Sequence, residues 1–323
     1  MLHLHWLHPY LLRPSRAGSW ARGLRFLAEI FLIRRQGTRI VWTVHNLTNH
    51  ESLHSDIELA LTRRFVRQCD LILTHGEYAS SAAKERFRIP EHTPVLSTRF
   101  PNYCERYKCD TSRQEARSHW GYSDEHTIIG FLGRVQPYKQ VVELVEAFRN
   151  VAGEHDRLLI GGRASSEDYA GKVNAAIQDD TRVRFLNEYI ADEEMGLFLK
   201  ACDVAACPSQ GILTSSSVAL AMSAGLPVIA PAEGCIPEEV GQTGFLYNTP
   251  QRDGLEQALS WALETKSDLR LKGTAAAERS SQASPERIAE QLLQAYLGLE
   301  CPNRCEEPFI QPETQQVGAA PSE

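Results

Sequence analysis

Residues 130–148 of this chain read GFLGRVQPYKQVVELVEAF. The apolar residues that lead into this stretch, 127–132, predict a buried strand that turns at Gly133. After the turn, apolar residues recur at the helical spacing i, i+3, i+4 and i+7, at Val141, Leu144, Val145 and Phe148. A strand, a short loop and a helix buried along one face form the repeating unit of a parallel α/β sheet.

The loop between this strand and helix carries two cations, Arg134 and Lys139, which are five residues apart. Parallel sheets bind anionic ligands at the carboxyl ends of their strands and at the N-termini of the helices that follow. The pair therefore indicates a site for a di-anion. An ordinary surface Arg and Lys in a βα loop would give the same residues, and this loop alone does not separate the two interpretations.

A second polar loop follows further along the chain. Residues 208–231 read PSQGILTSSSVALAMSAGLPVIAP, which predicts a loop, a helix and a strand. Four hydroxyl residues stand at the start of this helix: Thr214, Ser215, Ser216 and Ser217. Free N–H groups, hydroxyls and the helix dipole would together hold a phosphate there. A plain N-cap is the alternative, but one Ser suffices for a cap, so the run of four favours anion binding.

These motifs together resemble the C-terminal domain of the GT-B glycosyltransferases. The shared pattern is GR-x4-K before an amphipathic helix, then PS…TSSS…AM-x-x-G-x-PVIAP-x-x-GCIPE. It is most similar to glycosyltransferase family 4 and to its bacterial polysaccharide mannosyltransferase-like relatives. Residues 42–51, WTVHNLTNHE, resemble the HN-L-x-x-HE segment of that group. Tyr103 and residues 112–117 match its interdomain region, so the resemblance covers roughly residues 38–298.

The resemblance implies an α/β chain with the GT-B fold, in which two Rossmann-like, doubly wound domains face a cleft. Residues 1–108 would form the N-terminal, acceptor-side domain, and residues 109–300 the C-terminal domain that binds the nucleotide sugar. The residue pattern supports this independently for the second domain, where strands alternate with helices. Residues 301–323 are rich in Pro, Gln and Glu and are predicted to be a disordered tail.

The implied activity is transfer of a hexose from a nucleotide sugar to a lipid-linked or polysaccharide acceptor, with retention of the anomeric configuration. The resemblance implies that Arg134 and Lys139 contact the donor phosphates, where they would stabilise the departing nucleoside diphosphate. Because side chains supply this charge and the chain has no Asp-x-Asp pair, no metal and no other cofactor is expected.

Further candidates come from the segments that match the family. His45 ends a predicted strand, and in similar enzymes a His at this place faces the donor sugar or the acceptor. His45 and Asn46 could instead only cap the turn after the strand. His50 and Glu51 could position an acceptor hydroxyl or act as a base. Glu238 matches a position that borders the donor site in relatives, although it could also cap a local turn.

Two departures from the family pattern support a different class of function. Family 4 enzymes usually carry two Glu eight positions apart around the serine loop, and here those positions hold Ile212 and Leu220. The chain also lacks the usual first strand and Gly-rich loop, so we expect a reduced or truncated N-terminal domain. The alternative is therefore a non-catalytic, degenerate GT-B protein that binds sugar nucleotide or scaffolds polysaccharide assembly. A GT-B epimerase is a third option, without specific support.

The charge is distributed unevenly. Residues 1–110 hold 16 Lys and Arg against 10 Asp and Glu, whereas the rest of the chain holds 18 against 31. A basic N-terminal region on an acidic body does not suit nucleic acid but suits an anionic membrane surface. Residues 19–35 predict a basic amphipathic helix that lies on lipid or, alternatively, packs on the sheet. We therefore expect a cytoplasmic protein with peripheral contact at the inner face of the cell membrane.

Overall fold

The computed structural model describes residues 1–48, 53–107, 109–249 and 253–300. It contains two parallel sheets, each with its own layers of helices. The strands of the first sheet lie in chain order: β1 (Leu2–Leu4), β2 (Ile40–Thr43), β3 (Leu71–His75) and β4 (Val95–Thr98). All three strand pairs are parallel, so the carboxyl ends of all four strands meet at one edge.

Among the residues that the structure describes, four α-helices precede the last strand of the first domain: α1 (His8–Leu11), α2 (Arg16–Arg35), α3 (Ser55–Phe65) and α4 (Glu77–Phe87). Ile40, Trp42 and Ile72 on one face of the sheet join residues of these helices in a single core. Residues 10–18 contain the end of α1 and the start of α2. Pro at the first turn of α1 and a Ser15 cap on α2 explain both starts.

The second sheet has six parallel strands: β5 (Thr127–Leu132), β6 (Asp156–Gly161), β7 (Val183–Leu186), β8 (Val204–Ala206), β9 (Val228–Pro231) and β10 (Phe245–Tyr247). Their spatial order is β10-β9-β8-β5-β6-β7. From β5 the chain winds outward in one direction, and from β8 it winds outward in the other. The doubly wound sheet that the sequence predicts is confirmed, and its switch point lies between β5 and β8.

Eight helices accompany the second sheet within the described residues: α5 (Arg113–His119), α6 (Val141–Val151), α7 (Glu167–Ile177), α8 (Asp192–Ala201), α9 (Ser216–Ser223), α10 (Ile236–Val240), α11 (Gly254–Glu264) and α12 (Lys266–Ser281). One more helix, α13 (Pro285–Glu300), follows them. The predicted buried face of α6 is confirmed, because Val141, Leu144, Val145 and Phe148 are all fully buried. A capping box of Ser112 and Glu115 starts α5.

The last helix, α13, returns to the first sheet. Ala295 packs with Val41, Leu71 and Leu73 on the face opposite α2, α3 and α4. The hydroxyl of Tyr296 lies 3.0 Å from Nδ1 of His3. Both faces of the first sheet are therefore covered, as a parallel sheet requires, and one cover comes from the far end of the chain.

The segment between the domains is fixed by hydrogen bonds to the second domain. The side-chain amide of Asn102 donates to the carbonyl of Ser280 at 2.9 Å, and the backbone N–H of Tyr103 donates to the hydroxyl of Ser223 at 2.9 Å. The chain thus crosses between the domains twice, once after β4 and once between α12 and α13.

Candidate active site

The switch point of the second sheet brings together the two polar loops. One follows β5 and contains Arg134 and Lys139, and the other follows β8 and contains Thr214–Ser217. They are in direct contact: the N–H of Gln210 donates to the carbonyl of Tyr138 at 3.0 Å. A Cβ placed on Gly133 would lie 3.8 Å from the hydroxyl oxygen of Ser217. Open α/β sheets bind ligands in the crevice at this point of the topology.

The tight approach of the backbone next to Arg134 depends on glycine. Gly162, which follows β6, has a φ of +145°, and a Cβ there would lie 1.9 Å from the carbonyl oxygen of Gly133. Any larger residue at this position would push the two loops apart. The loop that carries Arg134 is therefore held closely over the ends of β5 and β6.

Arg134 and Lys139 differ in their surroundings. Arg134 is exposed, whereas Lys139 is half-buried and its ammonium lies 5.3 Å from the ring centroid of Tyr138. Burial lowers the pKa of Lys139, and the neighbouring Cys207 opposes this only weakly. In the part of the chain that the structure describes, no carboxylate forms an ion pair with either cation. A partly desolvated cation without an acidic partner is the arrangement that an anionic ligand would complete.

The hydroxyl run at the start of α9 divides into two kinds of residue. Ser215 is the N-cap: it is buried, and its hydroxyl accepts from the N–H of Val218 at 3.3 Å. For this residue the plain structural interpretation is sufficient. Thr214 and Ser217 are half-buried and Ser216 is exposed. Of these three, Ser217 places its hydroxyl next to the loop at Gly133.

Glu238 reaches across to the first domain. Its carboxylate oxygens accept from the backbone N–H groups of Glu77 and Tyr78 at 2.8 and 2.6 Å. These are the first two residues of α4, whose N-terminus carries the positive end of the helix dipole. Glu238 therefore caps a helix of the first domain and does not cap a turn in its own segment. Its contact with a donor remains a prediction.

The neighbouring Glu239 was not singled out from the sequence. It is half-buried, and burial raises the pKa of its carboxyl to about 7, although Arg99 and Arg279 oppose the shift. Cys207, at the end of β8, is close enough to both Lys139 and Glu239 for each to affect the pKa of its thiol. The family motif points to Glu238, and nothing in the local sequence marks Glu239, which follows it in the same short helix.

On the first domain, His45 is the centre of an aromatic stack. Its Nε2 lies 2.8 Å from Nδ1 of His5, its ring stacks on Trp6 at 4.6 Å, and the ring of His75 lies 5.6 Å away. Burial, and to a smaller extent the imidazoles of His75, His5 and His3, lower the pKa of His45 to about 4. The ring is therefore neutral near pH 7 and acts through hydrogen bonds rather than through charge.

Asn46 lies beside His45 in the lining of a small cavity of about 50 Å³ between the β2 loop, α3 and α4. Trp6, which is 55% exposed, lines the same pocket. His50 and Glu51, the other two candidates of this segment, lie outside the described residues.

Within the described ranges, no group of three or more His, Cys, Asp and Glu side chains is placed to hold a metal ion. Helices in the same ranges are also either too short or too polar to pass through a bilayer.

Comparison with known proteins agrees with this architecture. Residues 126–265 match the family model of the glycosyl transferases group 1. GDP-mannose:glycolipid 4-beta-D-mannosyltransferase of Xanthomonas campestris pv. campestris is 29% identical over 258 residues, which are 76% of this chain and 66% of the relative. D-inositol 3-phosphate glycosyltransferase of Mycobacterium marinum is 28% identical over 193 residues, 57% of this chain and 41% of the relative. The chain thus matches less than two thirds of the length of either relative.

Solved structures share the fold. Sucrose-phosphate synthase from Thermosynechococcus elongatus superposes with a TM-score of 0.74 at 19% identity, covering 93% of this chain and 73% of the other. The Anabaena protein HepE, solved in complex with UDP-glucose, superposes with a TM-score of 0.72 at 17% identity, covering 86% and 76%. These matches establish the predicted arrangement of two parallel α/β domains.

Proposed function

We propose that this chain, whose residues 126–265 match the family model of the glycosyl transferases group 1 and which has the GT-B fold, transfers a hexose from a nucleotide sugar to a lipid-linked or polysaccharide acceptor. The observation that carries this proposal is the meeting of two polar loops at the switch point of the second sheet, where Arg134 and Lys139 lack an acidic partner among the described residues. Residues 109–300 would bind the donor and residues 1–108 the acceptor.

In the proposed reaction, an acceptor hydroxyl oxygen forms a bond to the anomeric carbon while the bond from that carbon to the diphosphate breaks. The nucleoside diphosphate leaves with the growing negative charge and takes up the proton of the acceptor hydroxyl. Arg134, Lys139 and the first N–H groups of α9 are fixed in place to meet that charge, which lowers the barrier. Since side chains and backbone supply the positive charge, we propose that transfer needs no metal ion. The hydroxyls of Ser216, Ser217 and Thr214 would add hydrogen bonds to the same phosphates.

His45 would orient the sugar at the cleft. Its pKa near 4 makes it a weak base, and its Nε2 is already within hydrogen-bond distance of His5. We therefore give it a positioning contact with the donor sugar or the acceptor hydroxyl, made through Nδ1, rather than removal of a proton. The other polar groups of this segment, Asn46, His50 and Glu51, are proposed to contact the acceptor, and Glu238 the donor-side edge of the cleft.

The relatives' names give an order in which to test substrates. Two mannosyltransferases of Xanthomonas campestris pv. campestris are named for GDP-mannose and a glycolipid. GDP-mannose is therefore the first donor to test, and a lipid-linked sugar is the first acceptor. Such an acceptor fits a cytoplasmic protein with peripheral contact at the inner face of an anionic membrane. Retention of configuration stays a prediction from the family resemblance. The names of the two Xanthomonas mannosyltransferases specify a beta linkage. NMR of the anomeric carbon of the product would therefore show whether this chain makes an alpha or a beta linkage.

The test combines binding and turnover. Thermal shifts with GDP-, UDP- and ADP-sugars should identify one base that stabilises the protein, and Arg134→Ala should abolish that shift. Transfer of labelled sugar to lipid extract should then proceed with the same donor in the presence of EDTA. If no nucleotide sugar changes the melting temperature, the proposed donor site is wrong. If EDTA stops transfer and Mg²⁺ restores it, metal independence is wrong.

A specific observation also favours the non-catalytic alternative. Ile212 and Leu220, which replace the usual Glu pair, both pack against the apolar core around α9 and leave no carboxylate at those positions. A protein that binds donor through Arg134 and Lys139 but lacks these contacts could serve assembly without turnover. Saturable donor binding together with neither transfer nor donor hydrolysis across the acceptors tested would support this alternative.

A further inference from the structure

The helix α2 is apolar on two opposite sides. Its buried side, packed into the first domain, consists of Ser19, Gly23, Phe26, Leu27 and Ile30. Six apolar residues on the opposite side are exposed: Ala17, Ala21, Leu24, Ala28, Phe31 and Leu32. At 100° per residue these six fall within an arc of about 100°, so they form one continuous stripe. We call this stripe, together with Arg25 and Arg35, the outer face of α2.

The outer face exposes large apolar side chains that a fold normally covers. Leu24, Phe31 and Leu32 are 52%, 53% and 60% exposed. A contiguous exposed apolar patch indicates a binding surface. Within the described residues, no other element covers this stripe.

The charge on the outer face is positive. Arg35 lies on the same arc and Arg25 lies just beyond its edge, and the guanidinium of Arg35 lies 5.7 Å from the ring centroid of Phe31. Glu29 is the one acidic residue of α2, and it pairs with Arg25 at 2.7 Å on the rim. The neighbouring acids Asp56 and Asp70 pair with Arg16 and Arg34, which lie outside the stripe.

We propose that the outer face of α2 docks the protein on an anionic lipid bilayer. Leu24, Phe31 and Leu32 would enter the headgroup region, while Arg25 and Arg35 would meet lipid phosphates. The inference rests on the proposed function in one respect, since it names the surface by which the protein reaches a membrane that holds its acceptor. The two interpretations of residues 19–35 from the sequence, packing on the sheet and contact with lipid, are then compatible. One side of the helix packs in the domain, and the other side would face lipid.

Docking through this face would also orient the cleft. The helix α2 begins shortly after the carboxyl end of β1, the edge of the first sheet that carries His5 and His45. Arg22 of α2 donates to the carbonyl of Pro9 in α1 at 2.9 Å, so the two helices are joined there. The acceptor edge of the first domain therefore lies at the N-terminal end of the docking helix, where a lipid-linked sugar would arrive from the bilayer.

Another helix offers a matched control. Leu293 and Leu297 of α13 are 54% and 50% exposed, which is comparable with Leu24 and Phe31. Near them α13 carries Glu286 and Glu290, so this surface lacks the positive charge that anionic lipid requires. Replacing these two leucines removes similar apolar area without touching the proposed docking surface.

The experiment is co-sedimentation of the full chain with phosphatidylcholine vesicles, with and without phosphatidylglycerol. Wild-type protein should bind the anionic vesicles, and high salt should weaken the binding. Arg25→Gln with Arg35→Gln should lower the vesicle affinity by about thirty-fold, at roughly a factor of five per charge. Leu24→Ser with Phe31→Ser and Leu32→Ser should reduce binding to the level of neutral vesicles, whereas Leu293→Ser with Leu297→Ser should not change it.

Three outcomes would overturn the proposal. The first is equal binding of the wild-type protein to neutral and anionic vesicles. The second is vesicle binding that neither set of α2 substitutions changes. The third is a wild-type protein that binds no vesicles but forms a dimer, which the triple serine variant converts to a monomer. The last would make the face a contact between copies of the chain. Unchanged circular dichroism shows that each variant is folded. Thermal shifts with nucleotide sugars, measured on the same samples, test the donor site separately.

Discussion

Arg134 and Lys139 are cations at the one place in the second sheet where the topology opens a crevice. Arg134→Ala or Lys139→Ala should each lower turnover by about two to three orders of magnitude, the scale for removing one preorganised charge contact. Lys172→Ala is the matched control, because Lys172 lies on the surface of α7 and pairs only locally with Asp168. Steady-state kinetics with the donor found by thermal shift measures the effect. Wild-type rates in both site variants would exclude this assignment.

The serine run permits a second test at the level of single residues. Ser215→Ala should lower stability by about 1 kcal/mol, because it removes the N-cap of α9. Ser217→Ala should leave stability nearly unchanged but weaken donor binding, since its hydroxyl faces Gly133 rather than the helix backbone. Urea unfolding and donor titrations of the two variants separate these effects. Equal stability losses in both would mean that the whole run serves the cap.

The buried histidines should make stability depend on pH. Burial lowers the pKa of His3, His45 and His75 from an ordinary value of 6.5 to about 4. The folded chain therefore binds fewer protons than the unfolded chain between these values. The stabilisation is complete above pH 6.5 and is lost as pH falls through 4. Thermal melts from pH 7 to 4 should show this decline, and His75→Asn should make it shallower. If the melting temperature of the His75→Asn variant falls with pH as steeply as that of the wild type, His75 does not contribute to this pH dependence.

At the scale of elements, Glu238 connects α10 with the N-terminus of α4. Glu238→Ala should lower stability by about 0.5–2 kcal/mol, the range for losing a side chain that caps a helix. Because the two elements belong to different domains, we expect the substitution mainly to weaken the coupling between the unfolding of the two domains. Glu238→Gln keeps one acceptor oxygen and should lose less. Calorimetry should show a broader or split transition for Glu238→Ala, and a single unchanged transition would argue against this connection.

Regular elements with strong periodicity were predictable, and short ones were not. The strand β5 and helix α6 follow from an apolar run and an i, i+3, i+4, i+7 pattern that local sequence contains. The elements β10 and α10 are three and five residues long, too short for any period to be visible. The same limit applies to the site. Both polar loops were visible in the sequence, but the cap that Glu238 provides depends on partners 160 residues away.

At the scale of the whole molecule, α13 completes the first domain. A chain that ends at Ser284 would expose the face formed by Val41, Leu71 and Leu73 to water. We expect this shortened chain to aggregate or to bind a hydrophobic dye, while Tyr296→Phe, which removes one hydrogen bond to His3, should cost only about 1 kcal/mol. Dye fluorescence and unfolding curves measure the difference. A shortened chain with native stability would mean that α13 is dispensable.

The path of α13 also sets the order in which the protein can fold during its synthesis. After β4 ends at Thr98, the ribosome adds nearly 190 residues before α13 begins at Pro285. At roughly 5–20 residues per second, this takes about 10–40 s. Throughout that time all four strands of the first sheet have been made, but one face of the sheet is bare. The shortened chain described above reproduces this nascent state, so its aggregation would measure how much the protein depends on chaperones while it is being made.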